Sequence, residues 1–145
     1  GLFSSKSYNI ESLTVGTTED PTISRMTISM ISDDKTFEQI KKQLNRSVEV
    51  IKVVDYTNTP IHNKELVYIK VNYCTEKDKV EIFRLAEIYN FKVIDYNKTS
   101  IIIEWVETES KINDLIKIFE ENFLNRIEVA RGGSVAIEAI GIANR

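Results

Sequence analysis

From Leu66 onward the chain switches between two hydrophobic periods in a fixed order, and that order restricts the fold more than any other feature. Residues 66–73 read as a strand. Thr75-Glu76-Lys77-Asp78 has the make-up of a helix N-cap with an acidic first turn. Ile82, Leu85, Ala86 and Tyr89 follow at i, i+3, i+4 and i+7, one face of an amphipathic helix. Residues 91–96 and 100–106 are two further strands joined by a turn at Asn97-Lys98. Ile112, Leu115, Ile116, Phe119 and Phe123 form the clearest helical stripe in the chain. Residues 127–129 and 135–140 supply the last strand material around Gly132-Gly133. The order is β-α-β-β-α-β, the ferredoxin-like pattern.

The same order is partly present before it. Residues 8–15 read as a strand, with Leu13 and Val15 on one face and Ser12 and Thr14 on the other. Residues 16–21 (Gly-Thr-Thr-Glu-Asp-Pro) are a turn cluster. Residues 23–31 alternate, with Ser24, Met26, Ile28 and Met30 opposed to Arg25, Thr27 and Ser29, so a hairpin is expected. Ser32-Asp33-Asp34 offers N-caps for a helix through Asn45, carrying Phe37, Ile40 and Leu44 at helical spacing. The β-branched run 48–55 is a further strand. Gly1 to Lys6 read like the end of a helix. The first unit is therefore expected to match the second once a first strand and most of a first helix are restored.

The expected fold is α+β: two tandem ferredoxin-like (βαββαβ) domains, residues 1–57 and 66–145, joined by a linker at 58–65. A chain of 145 residues accommodates two units of that size. Helices cover only one face of each such sheet, so pairing with another molecule, by default a second copy, is the expectation.

Charge and residue inventory narrow the function. Net charge is −3 and the 19 basic residues are scattered, which argues against nucleic-acid binding. No apolar run approaches the roughly 20 residues that span a bilayer, and a soluble protein is expected. One cysteine, Cys74, and one histidine, His62, exclude an internal disulfide and nearly exclude a Cys/His zinc site. Cys74 lies in a strand-like run and reads as a small buried hydrophobe. His62, near Pro60 in a polar stretch, reads as a surface loop residue, with a Cys74–His62 pair left open. No phosphate loop, dinucleotide loop or HExxH motif is present. Glu109, Asp114, Glu120 and Glu121 fall mostly on polar helix faces, where solvated carboxylates are the rule. The expected catalytic and metal residues are none.

Asn9 is the one polar side chain at a promising place, where the first helix would pass into the first strand. A carboxamide donates to a carboxylate and accepts from an ammonium, which suits the backbone end of a free amino acid. It equally suits a hydrogen bond within its own turn.

Residues 1–15 (GLFSSKSYNIESLTV) and 18–28 (TEDPTISRMTI) carry a resemblance, as do 40–50 (IKKQLNRSVEV) and 127–133 (IEVARGG). Together they closely resemble the acetolactate synthase small subunit family, specifically at the N-terminus and more loosely between residues 66 and 126. The resemblance implies an ACT domain, here without its first strand, followed by an ACT-like domain. It implies a non-catalytic regulatory subunit of branched-chain amino acid biosynthesis. In the family two copies pair through their ACT domains, and valine or a related amino acid sits at that interface. The partner is a catalytic subunit carrying thiamine diphosphate, Mg²⁺ and FAD, which decarboxylates pyruvate and condenses it with a second 2-keto acid. The small subunit activates that partner and makes it inhibitable, and this chain itself is expected to hold no cofactor. Asn9 matches the family's ligand-binding Asn, and Ile10 its pocket-lining neighbour. The family's other ligand loop precedes Gly1, and Ser7 stands where the family usually has Gly. A bacterial cytoplasm or a plastid stroma is the implied location. The alternative is a free-standing ACT-type sensor governing another enzyme.

Overall fold

The structure, a computed structural model, describes residues 8–46 and 53–141, for Tyr8 and Asn9 the backbone alone. The chain forms two compact units, Gly1–Asn63 with Val135–Arg145, and Lys64–Ser134.

In the first unit, β1 (Tyr8–Thr17) and β2 (Ser24–Ser32) pair antiparallel, from Tyr8 opposite Ser32 to Thr17 opposite Ser24. The turn between them is closed by its own side chains. Asp20 Oδ1 accepts from the Thr22 amide at 3.0 Å and its hydroxyl at 2.7 Å, and Thr18 N–H donates to the Ile23 carbonyl at 3.0 Å. Helix α1 (Asp34–Arg46) starts where Asp33 caps it, its carboxylate accepting from the Thr36 amide at 2.6 Å. Ile40 is its buried residue. Lys41 joins Glu38 at 3.0 Å and Asp55 at 3.1 Å, which ties α1 to the segment after it. On β2, Arg25 Nη2 donates to the Tyr56 hydroxyl at 2.7 Å and to the Ala136 carbonyl at 2.9 Å. The strand expected at 48–55 lies outside the described residues up to 52, and its remainder, Val53 to Asp55, is not in a strand. The helix end expected at Gly1–Lys6, and Ser7, also lie outside them.

The second unit contains β3 (Ile61–Val71), α2 (Glu76–Tyr89), β4 (Lys92–Tyr96), β5 (Ile101–Glu107), α3 (Glu109–Asn122) and β6 (Ile127–Glu138). Strand β3 enters it from the first unit and β6 leaves it again at Val135. The sheet order is β4-β5-β3-β6, which is the ferredoxin-like arrangement expected from the sequence. Strands β3 and β5 pair from Glu65 opposite Glu107 to Val71 opposite Ile101. Alternation then sends Val67, Ile69 and Val71 inward from β3, and Ile101, Ile103 and Trp105 inward from β5. They meet Ile82 and Leu85 of α2, and Ile112, Leu115 and Phe119 of α3. Phe119 stacks edge-on against both Phe91 and Phe123, with centroids 5.8 and 5.5 Å apart. Each of these fully buried side chains contributes about 1.5–3 kcal/mol relative to exposure. The opposite face of the sheet is partly apolar, with Leu66, Tyr68, Ile94 and Val106 all exposed.

Two expectations change here. Strand β3 begins at Ile61, inside the stretch read as a linker. Pro60, His62, Asn63 and Lys64 gave that stretch a loop-like composition, but alternate residues are exposed, as a strand's are. His62 is therefore an exposed strand residue and not a loop residue. Of the bulge and the tight connection that Gly132-Gly133 allows, the connection is absent: β6 runs unbroken through the pair, with φ of 79° at Gly133. Only glycine adopts that φ inside a strand at small cost.

Candidate functional site

The effector residues expected from the sequence lie at the start of β1. Asn9 is opposite Ile31 and Ile10 opposite Met30. Immediately after them the register slips, because Ser12 pairs with Ser29 and leaves Glu11 as an extra residue. A bulge of this kind re-aims the side chains beside it and is common next to binding sites. Ile10 is half-buried. The Asn9 side chain lies outside the described residues, so its hydrogen bonds, to a ligand or to its own turn, are not part of the geometry.

The Cys74–His62 pair does not form. His62 sits near the N-terminal end of the eleven-residue strand β3, and Cys74 lies beyond its C-terminal end. The thiol is half-buried against the Val71 carbonyl at 3.5 Å. Burial and then the nearby Asp78 carboxylate push its pKa up, the opposite of what a nucleophilic thiolate needs. Asp114, Glu120 and Glu121 are exposed, as expected of solvated helix faces, and Glu109 is half-buried. Among the described residues no group of three His, Cys, Asp or Glu side chains could hold a metal ion. No described helix is long and apolar enough to cross a membrane.

Two polar clusters in the second unit carry its strongest electrostatics. At the start of α2, Thr75 and Asp78 form a full capping box: Asp78 N–H donates to Thr75 Oγ1 at 3.1 Å, and Thr75 N–H to Asp78 Oδ2 at 2.9 Å. Arg126 Nη1 adds a bond to the same carboxylate oxygen at 2.8 Å and another to the Tyr73 carbonyl at 2.9 Å. The Arg126 bond, followed by the Thr75 amide, lowers the Asp78 carboxyl to about 2. The second cluster was not anticipated. Glu65 is buried, and both its oxygens accept from Arg131, Nε and Nη2 at 2.9 Å each. Arg131 Nη1 reaches Asn113 Oδ1 at 2.7 Å, and the Gly133 amide approaches Glu65 Oε2 at 3.3 Å. A bidentate pair this well satisfied fixes β6 to β3. Glu65 falls at the end of the stretch that reads as a linker, 58–65, so its burial had no local signal.

The comparisons with known proteins agree with this architecture. A family profile described as "Small subunit of acetolactate synthase" matches residues 64–140, and one described as "AHAS small subunit-like ACT domain" matches residues 1–52. The acetolactate synthase small subunit of Aquifex aeolicus is 40% identical over 136 residues, covering 94% of this chain and 70% of that one. A probable acetolactate synthase small subunit of Archaeoglobus fulgidus is 42% identical over 137 residues, covering 94% and 84%. The crystal structure of the acetolactate synthase small subunit from Thermotoga maritima superposes with a TM-score of 0.81 at 38% identity, covering 97% of this chain and 86% of that one. With the sheet order and the sequence matches in accord, this chain belongs to the acetolactate synthase small-subunit family.

Proposed function

We propose that this protein is a non-catalytic regulatory subunit of acetolactate synthase. It binds the catalytic subunit, raises its activity, and makes it subject to feedback inhibition by valine or a related branched-chain amino acid. The observation that carries this reading is identity of about 40% with acetolactate synthase small subunits along 94% of the chain. The chemistry supports it. The ion pairs Arg126–Asp78 and Arg131–Glu65 hold loops and strands together, and the cysteine is a raised-pKa thiol. Thiamine diphosphate, Mg²⁺ and FAD belong to the catalytic partner in this reading. Exposed apolar residues on the second sheet, among them Val106 at 55%, are the kind of surface that a protein partner covers.

The effector sits at Asn9 and Ile10, at an interface between the first domains of two copies. There the Asn9 amide bonds the amino acid's charged backbone groups and Ile10 lines its aliphatic side chain. Binding favours one arrangement of the paired domains, and inhibition follows if the catalytic complex distinguishes that arrangement from the unliganded one.

The test is acetolactate formation by the catalytic subunit of the same source, with and without this protein at its natural length, across titrations of valine, leucine and isoleucine. Activation together with inhibition by one of them is the expected result. Neither effect, with no complex on gel filtration, overturns the reading and leaves a free-standing amino-acid sensor in its place.

A further inference from the structure

We infer that Arg25 is a positioning residue that couples the effector end of the β1–β2 hairpin to strand β6, an inference that rests on the regulatory reading above. The hairpin has two ends. Asn9 and Ile10 stand at one, opposite Ile31 and Met30, and Arg25 stands at the other, opposite Gly16. Arg25 lies six positions before Ile31 on β2, about 20 Å of extended chain. At that far end the Arg25 guanidinium donates to the Ala136 carbonyl at 2.9 Å and to the Tyr56 hydroxyl at 2.7 Å. Arg25 and Ala136 are 111 residues apart in sequence, yet both belong to the first unit.

Ala136 is not an isolated loop residue. It is a buried position on β6, the strand that starts at Ile127 in the second unit's sheet and continues without interruption to Glu138. Within the second unit β6 is fixed to β3 by the Arg131–Glu65 pair. One strand is thus gripped by an arginine in each unit, Arg131 in the second and Arg25 in the first. Arg25 itself is solvent-exposed, so its loss removes little packing. What it removes is the hydrogen bond from the effector-bearing hairpin to a strand that runs on into the other unit. A shift of the hairpin on effector binding changes the Arg25–Ala136 bond, and β6 carries that change into its own sheet. Coupling needs only that the bond differ between the liganded and unliganded states.

The experiment uses the natural-length protein reconstituted with its catalytic subunit, as wild type, Arg25→Ala and Arg25→Gln. Three quantities are read: activation, inhibition by valine, and valine binding by calorimetry. Amide exchange of the peptide around residues 135–139 is followed with and without valine. For both variants activation is expected within about twofold of wild type and valine still binds, while the valine concentration for half-inhibition rises about fivefold or more. Valine is expected to alter exchange around Ala136 in the wild type and not in the variants. Inhibition of the variants at the wild-type valine concentration overturns the inference and leaves the regulatory reading intact. Parallel loss of activation, valine binding and inhibition in both variants also overturns it, because Arg25 then only supports the fold. A wild type that neither activates nor responds to valine overturns the regulatory reading, and this inference with it.

Discussion

Replacing Asp78 with Asn isolates the electrostatic contribution of the Arg126 pair and the α2 cap to the second unit's stability. The carboxylate accepts from Arg126 at 2.8 Å and from the Thr75 amide at 2.9 Å, and its side chain is 18% exposed, that of Arg126 26%. Its pKa falls from 3.8 to about 2 on folding. A depressed carboxyl stabilises the fold at any pH above its unfolded value, and that contribution disappears as pH falls through the folded value. At 1.36 kcal/mol per unit the pair and cap contribute about 2 kcal/mol at pH 7, roughly half of it gone by pH 3. Asn keeps an acceptor for the Thr75 amide but loses the charge, so the contribution no longer titrates. The assay is urea unfolding followed by far-ultraviolet circular dichroism, wild type against Asp78→Asn, at pH 7, 5 and 3. The gap between the two proteins should be about 2 kcal/mol at pH 7 and 5, and about 1 kcal/mol at pH 3. Other carboxyls with lowered pKa, such as Asp33 and Glu107, titrate equally in both proteins and cancel in the difference. A gap that stays constant from pH 7 to pH 3 refutes the assignment of the shift to Arg126 and the cap.

Three further outcomes are expected. Arg131→Leu leaves the Glu65 carboxylate buried without its bidentate partner and should cost about 2–3 kcal/mol, below the fully buried range because Arg131 is 35% exposed. The double variant Glu65→Leu with Arg131→Leu should recover most of that in the same urea assay. Phe119→Ala empties the centre of an aromatic trio whose middle ring is 0% exposed, and should lower stability by about 3–5 kcal/mol. Cys74 should react with iodoacetamide at pH 7.5 well below the rate of free cysteine, and at the free rate once urea unfolds the protein. A native rate equal to that of free cysteine contradicts the half-buried placement of the thiol.

Local signals were legible in this sequence, and long-range ones were not. The capping box of α2 needs only Thr75 and Asp78 three positions apart, and both were read correctly from the chain. The stripe of α3 likewise reports burial within one element, and Ile112, Leu115 and Phe119 are buried as expected. The start of β3 was hidden because Pro60 and Asn63 have loop propensities, which the pairing of a strand overrides. The continuity of β6 was hidden for a related reason. A Gly-Gly pair suits a bulge or a tight connection equally, and the structure shows an unbroken strand, with the Gly133 amide within reach of Glu65, 68 residues away. Arg131 and Glu65 could not be paired from sequence, since nothing local marks contacts 66 positions apart. For the effector residues, sequence supplied identity and resemblance, and the structure added the bulge that follows Ile10.

The loop between β3 and α2 occupies, in the second unit, the place in the βαββαβ order that the family resemblance assigns to the ligand loop of an ACT domain. Several of its polar groups are already engaged. Asn72 N–H donates to the Arg126 carbonyl at 2.8 Å and Cys74 N–H to the Thr99 carbonyl at 2.7 Å. Asp78 N–H is held by Thr75, and the Arg126 cation faces Asp78. A free amino acid whose carboxylate took Arg126 or the Asp78 amide would have to displace the Asp78 carboxylate or the Thr75 hydroxyl. Either exchange replaces an intramolecular charge-assisted or capping bond with one that also costs the entropy of association. The second unit uses its loop to hold the start of α2 against Arg126, which fits the proposal that an effector is recognised in the first unit, where Asn9 and Ile10 lead into the β1 bulge.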